Sequence, residues 1–228
     1  MNFAAMSDLH GILITEVEPV DVVLIGGDIT PLNIQGAHRK CRQWFRDIFL
    51  PWADSLPASL VVLVAGNHDM WMEHHEDSVQ LMCSGTKVCY LMNQAIKVGD
   101  DIQIFGTPMC KPYGNWAFMD DYSKQNEMFS EAKERLSSGL KTIVLSHDAP
   151  FGCSDIILDK QVPWYTTDHL GNNELRLFLD DIRPSLCLHG HLHSTNHDAE
   201  YIGDTEVRCV SILGENYKPE YPVYYGSI

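Results

Sequence analysis

The chain has 228 residues, enough for one good-sized core, with the 45% apolar and 21% charged content of an ordinary globular protein. Its 31 acidic residues against 16 basic ones leave a formal charge of −15, which repels long polyanions unless a basic patch or bound cations intervene. No run approaches the roughly 18 apolar residues of a membrane span, and no basic-then-apolar leader opens the chain. Seven cysteines without a CxxC pair read as reduced thiols, so a cytoplasmic protein is expected.

Residues 1–6 form a short apolar strand that runs directly into Ser7-Asp8-Leu9-His10-Gly11. Val22 to Ile25 is a second strand, opening into Gly26-Gly27-Asp28-Ile29-Thr30-Pro31. From Ala37 to about Ser55 the residues Trp44, Phe45, Ile48, Phe49 and Trp52 recur at helical spacing, with Pro51 expected to kink or end the helix. Leu60 to Ala65 is a buried strand leading into Gly66-Asn67-His68-Asp69, and residues 74–83 read as a short helix. The middle is β-rich: strands near 88–92, 95–98 and 102–106, with Asp100-Asp101 as the hairpin turn. A helix from about 123 to 137 precedes the strand Thr142–Leu145, which ends in Ser146-His147-Asp148-Ala149-Pro150. A helix over 172–182 precedes the strand Ser185–Leu188, which ends in His189-Gly190-His191-Leu192-His193. Three strands near 197–202, 206–212 and 222–227 close the chain.

Strands alternating with helices predict an α/β layered domain, one unit over residues 1–228, with a second sheet packed on the first. Each of five polar clusters follows a β run. In open α/β sheets, sites gather beyond the carboxyl ends of the strands, so sequence-distant clusters can meet at one rim. Imidazole and carboxylate together suit Mn, Fe and Zn, whereas an all-oxygen shell suits Mg or Ca. In an extended stretch Asp8 and His10 would point to one side and reach one ion, and His191 and His193 would do likewise for neighbouring ions.

Asp8-x-His10, Gly27-Asp28, Gly66-Asn67-His68-Asp69, His147 and Gly190-His191-x-His193, in this order, resemble the five blocks of the calcineurin-like metallophosphoesterase superfamily. The resemblance implies a four-layer α-β-β-α sandwich, two mixed β-sheets flanked by helices, with the metal site at the strand carboxyl ends. It implies that Asp8, His10, Asp28 and His193 hold one divalent cation and Asn67, His147 and His191 a second, with Asp28 bridging. Manganese is the expected metal, with Fe, Zn or Mg as alternatives. Such a pair clamps a phosphate and brings a bound water towards a pKa of about 7, so that a bridging hydroxide attacks phosphorus. His68 matches a non-ligand histidine that protonates the departing oxygen, and Asp69 would orient it or a neighbouring ligand.

His189, His74, His75, His169 and His197 read as structural or solvated. Asp148 reads either as support for His147 or as a loop cap. Trp71, Tyr113, Trp116, Trp164 and Tyr165 lie in loops expected to rim the site, where packing is the default and stacking on a base the alternative.

Two departures narrow the branch. Ile29-Thr30-Pro31-Leu32 stands where protein serine/threonine phosphatases carry an acidic residue and an Arg-Gly pair, and Asp69 stands where they carry Glu. Length and charge disfavour a repair nuclease. The expected function is hydrolysis of a small phosphodiester or cyclic nucleotide, with no membrane partner and no stable nucleic-acid polymer. Phe105-Gly106-Thr107-Pro108, Ser146 to Pro150 and the tail 210–217 look like this compact group, including the metallophosphoesterase-domain proteins first known from animals. A phosphomonoesterase or nuclease of the same fold is the alternative, and a non-catalytic metal-binding interaction protein the weaker one.

Overall fold

The computed structural model describes residues 1–228. One sheet has the order β11 (Tyr224–Ser227), β1 (Asn2–Met6), β2 (Val22–Ile25), β3 (Leu60–Leu63), β4 (Val88–Tyr90). The other runs β5 (Gln94–Val98), β6 (Ile102–Thr107), β7 (Lys141–Ser146), β8 (Leu186–His189), β10 (Thr205–Cys209), β9 (Glu200–Ile202). Both are mixed: parallel interiors carry antiparallel edges at β11, β5 and β9. The register sets Leu24 opposite Ala5 and Val62, and Val144 opposite Phe105 and Cys187.

Period-two alternation splits each strand between two cores. Phe3, Leu24, Val62, Ile104, Ile143, Leu145 and Leu188 face inward and join the sheets in one dry layer. Their neighbours Ala4, Met6, Val23, Ile25, Leu63, Phe105 and Val144 face the helices. Burial on both faces explains why these strands read as unbroken aliphatic runs.

α1 (His38–Trp44), a wide helical turn over Phe45–Phe49, α2 (Leu50–Ser55), α3 (Met70–Glu73) and α4 (Glu76–Cys83) cover the first sheet. The helix expected over 37–55 does not stop at Pro51. The Leu50 N–H donates to the Phe45 carbonyl five residues back, and this wide turn lets Pro51 enter at the start of α2, where its missing N–H costs nothing. α5 (Tyr122–Arg135) and α6 (Asn173–Ile182) cover the second sheet, with Phe178 packed between Phe105 (5.1 Å) and Phe129 (4.9 Å). Asp121 caps α5 and Asn172 caps α6 through their side-chain oxygens. The four layers are therefore α-β-β-α. No helix is long and apolar enough to cross a membrane.

Candidate metal centre

The loops after β1, β2, β3, β7 and β8 converge and are stitched together by backbone hydrogen bonds. Asp8 N–H donates to Gly27 O (3.0 Å), His10 N–H to Asp28 O (2.8 Å) and Gly190 N–H to His147 O (3.0 Å). The fit leaves no room for larger residues at two positions. A Cβ on Gly66 would stand 2.5 Å from the Asp28 nitrogen and 2.6 Å from the His147 ring, and one on Gly190 would overlap Ser7 and Asp8.

All seven expected ligands meet at this point. His193 Nε2 lies 3.4 Å from Asp8, His10 Nε2 lies 3.6 Å from Asp28, and His147 Nε2 lies 3.4 Å from Asp28 and 3.0 Å from the Asn67 Oδ1. The ligand atoms of Asp8, His10 and His193 lie within 4.8 Å of one another, as do those of Asp8, Asp28 and His147. The backbone orients the rings. Nδ1–H of His147 donates to Gly26 O (2.8 Å) and Nδ1–H of His193 to Gly214 O (3.1 Å), which turns each Nε2 toward a carboxylate.

One geometric expectation fails here. Asp8, His10, Asp28 and His191 have φ of 58°, 41°, 49° and 67°, so these stretches are not extended and period-two alternation does not aim the ligands. Left-handed backbone at non-glycine residues costs roughly 1–2 kcal/mol each and persists only where surrounding contacts impose it. Here the neighbouring loops impose it: the His191 N–H donates to both Asp8 oxygens (3.1 and 3.2 Å), and the His68 N–H to Asp28 (2.8 Å).

The buried carboxylates and histidines influence one another strongly. Burial opposes charge on Asp8 and Asp28, yet His193 and His147 hold both well below the usual carboxylate range. Burial likewise opposes charge on His147 and His193, but Asp28 and Asp8 push them up to about 10 and about 9. His10 and His191 have no such dominant partner, and burial pushes them down to about 4 and about 3. Both ring nitrogens of His10 are buried without a hydrogen-bond partner, a condition that a bound cation relieves. Neutral imidazoles, two carboxylates and an amide oxygen together fit divalent transition metals.

His68 faces the cavity over the centre, as do His191 and His193; its Nε2 lies 3.9 Å from Asp28, and its ring packs 4.4 Å from Trp116. Asp69 does not orient it. The Asp69 carboxylate accepts from Gly66 N–H (2.8 Å), Ile29 N–H (3.3 Å), Thr30 N–H (2.9 Å) and Thr30 Oγ1 (2.6 Å). It thus fixes the loop that carries Asp28, which is the other expected role, support of a neighbouring candidate ligand. The partner of His68 Nδ1 is Gln35 Oε1, at 2.5 Å.

The sequence model of the calcineurin-like phosphoesterase family matches residues 1–195. The chain belongs to this family. It is 22% identical to human metallophosphoesterase domain-containing protein 1 over 250 aligned positions, covering 97% of this chain and 69% of that protein. Its fold is similar to that of a phosphopantetheinyl hydrolase from Mycobacterium tuberculosis, with a TM-score of 0.56, 14% identity and coverage of 95% and 90% of the two chains. A dimetal phosphatase from Danio rerio is also similar, with a TM-score of 0.51, 9% identity and coverage of 91% and 86%.

The other candidates of this calcineurin-like phosphoesterase sort as follows. Tyr113, Trp116 and Trp164 line a cavity of about 740 Å³ over the centre, whereas Tyr165 lies outside it. Trp71 is no rim residue: it is buried edge-on against Phe45 at 5.4 Å. His189 is buried beside the site, His74 and His75 are exposed, His169 pairs with Asp155, and His197 stacks on Tyr221. Asp148 caps its loop, accepting from the Lys111 and Ala149 N–H groups.

Three residues at the site lack a motif of their own. Gln35 sits between two elements, and Cys110 resembles the other packed cysteines. Tyr217 belongs to the tail, with its ring 4.9 Å from that of His10 and 5.3 Å from that of His193. The signal for Tyr217 is the resemblance of the tail 210–217, which it closes.

Proposed function

We propose that this chain hydrolyses small phosphodiesters, cyclic nucleotides foremost, with two divalent cations. Asp8, His10, Asp28 and His193 would hold one, and Asn67, His147 and His191 the other, with Asp28 shared; manganese is the first candidate. Bound cations of this kind supply charge neutralisation and Lewis acidity at the phosphate.

The observation that carries the substrate reading is the cavity wall. Tyr113, Trp116, Trp164 and Tyr217, with the aliphatic Leu32, Ile157, Leu170 and Leu192, make half of it apolar or aromatic, and Lys111 is its only lysine or arginine. A monoester dianion has no arginine clamp here, whereas a singly charged diester needs none, and flat rings can stack on a base.

The chain's own residues then divide the work. Gln35 holds Nδ1–H of His68, which leaves Nε2 directed into the cavity. As water adds to phosphorus and the ester P–O bond breaks, the imidazolium form of His68, protonated on both ring nitrogens, passes the Nε2 proton to the departing oxygen and is left neutral with Nδ1–H still on Gln35. Trp164 donates to Glu215 (3.2 Å), which also accepts from Ser194, so the aromatic wall is braced against the His191–His193 loop. All seven cysteines are unpaired, in keeping with a reducing compartment such as the cytosol. No nucleic-acid polymer is proposed as a partner, since the charge of −15 opposes one.

The test compares kcat/KM for 2′,3′- and 3′,5′-cyclic nucleotides, an aryl diester, an aryl monoester and single-stranded DNA with Mn²⁺. Diesters should lead. A monoester preferred by more than roughly tenfold, or about 1.4 kcal/mol, would overturn this reading. So would efficient DNA degradation at physiological salt.

A further inference from the structure

Cys110 stands apart from the other cysteines in its surroundings. It follows β6 in the loop beneath the cavity and is fully buried. Its Sγ and the ligand nitrogens of His147 and His191 all lie within 4.8 Å of one another. The thiol donates to the carbonyl of Pro108, two residues back, at a loose 3.5 Å, and the Asn67 backbone also bears on it. The backbone of Cys110, in contrast, is clamped. The Cys110 N–H donates to Phe118 O (2.8 Å), and its carbonyl accepts from Nε2 of the buried Gln125 in α5 (2.8 Å). The thiol is thus placed beside two imidazoles by a backbone that is tied on both sides. None of the other six cysteines belongs to a group of candidate ligands.

We propose that Cys110 supplies a thiolate ligand at the His147–His191 end of the metal centre. The Asp8–His10–His193 end has no such donor, so the two sites differ in softness. Thiolate selects borderline-soft ions, and the second site would prefer Zn²⁺, Fe²⁺ or Co²⁺ to Mg²⁺. Metal–sulfur bonds of about 2.3 Å and metal–nitrogen bonds of about 2.0 Å would draw the trio together around one ion. As the metal–sulfur bond forms, the thiol proton leaves to solvent. This inference rests on the two-cation reading of the site.

The test is cobalt loading of the full chain, with metal content measured by elemental analysis. Wild type should take up two equivalents and display a near-ultraviolet thiolate-to-cobalt charge-transfer band. Cys110→Ser and Cys110→Ala should lose the band and bind the second Zn²⁺ at least roughly tenfold more weakly. Their affinity for Mg²⁺ should be unchanged. Two cobalt equivalents without a band, or a band that survives Cys110→Ser, would overturn the thiolate and leave the two-cation reading standing. One equivalent and no band would overturn both.

Discussion

At the scale of single residues, the proposed proton transfer turns on the pairing of His68 with Gln35. A carboxamide accepts Nδ1–H without adding a charge beside the buried Asp8 and Asp28 carboxylates. His68→Ala should retain both cations while slowing hydrolysis by about 10²–10⁴-fold, the usual scale for a general acid. The loss should shrink for a nitrophenolate leaving group, which hardly needs a proton. Gln35→Ala should produce a smaller loss in kcat with KM and metal content nearly unchanged, and no further loss in the His68→Ala background. Additive effects of the two substitutions, or cations lost with His68→Ala, would contradict these roles.

At the scale of elements, loops deliver the candidate ligands and strands only aim the loops. The β2 and β3 loops are locked by one buried carboxylate, Asp69, which satisfies three N–H groups and the Thr30 hydroxyl. Burial, together with Asp28 nearby, raises the pKa of Asp69, so its hydrogen bonds must offset a desolvation cost. Asp69→Ala would strand those donors, each worth about 1–3 kcal/mol when left unpaired. The metal-free variant should lose about 3 kcal/mol or more by urea unfolding, and Asp69→Asn, which keeps an acceptor oxygen, should lose less. Equal stability of Asp69→Ala and wild type would mean that the strands alone hold these loops.

At the scale of the whole molecule, the buried histidines bound the pH range of the metal-free fold. Burial pushes His189 down from 6.5 to about 4, so near pH 5 the unfolded chain binds a proton that the folded one refuses. The stability from His189 is therefore complete above pH 6.5 and lost as pH falls toward about 4, on the order of 3 kcal/mol. His147 behaves oppositely. Its pKa is raised to about 10 in the fold, so its contribution is complete below pH 6.5 and lost as pH rises toward 10. Urea midpoints of metal-free protein should thus fall on both sides of neutrality. His189→Gln should flatten the acid limb, and bound cations should flatten the alkaline limb by replacing the proton. An acid limb unchanged by His189→Gln would locate the titration elsewhere.

The sequence by itself determined the strand–loop order, the layered class and the polar blocks that carry the candidate ligands. Apolar runs buried on both faces are visible as runs, and each ligand block sits within a few residues of a strand end. The tertiary structure alone decided how those ligands are aimed. Asp8, His10 and His191 are held in left-handed backbone by hydrogen bonds to loops far away in sequence, so local periodicity misplaces them. It also decided that Trp71 belongs to the core, that Asp69 ties two loops, and that Gln35, Cys110 and Tyr217 reach the site. Each of those roles depends on which distant segment packs beside the residue, and no local propensity encodes that distance.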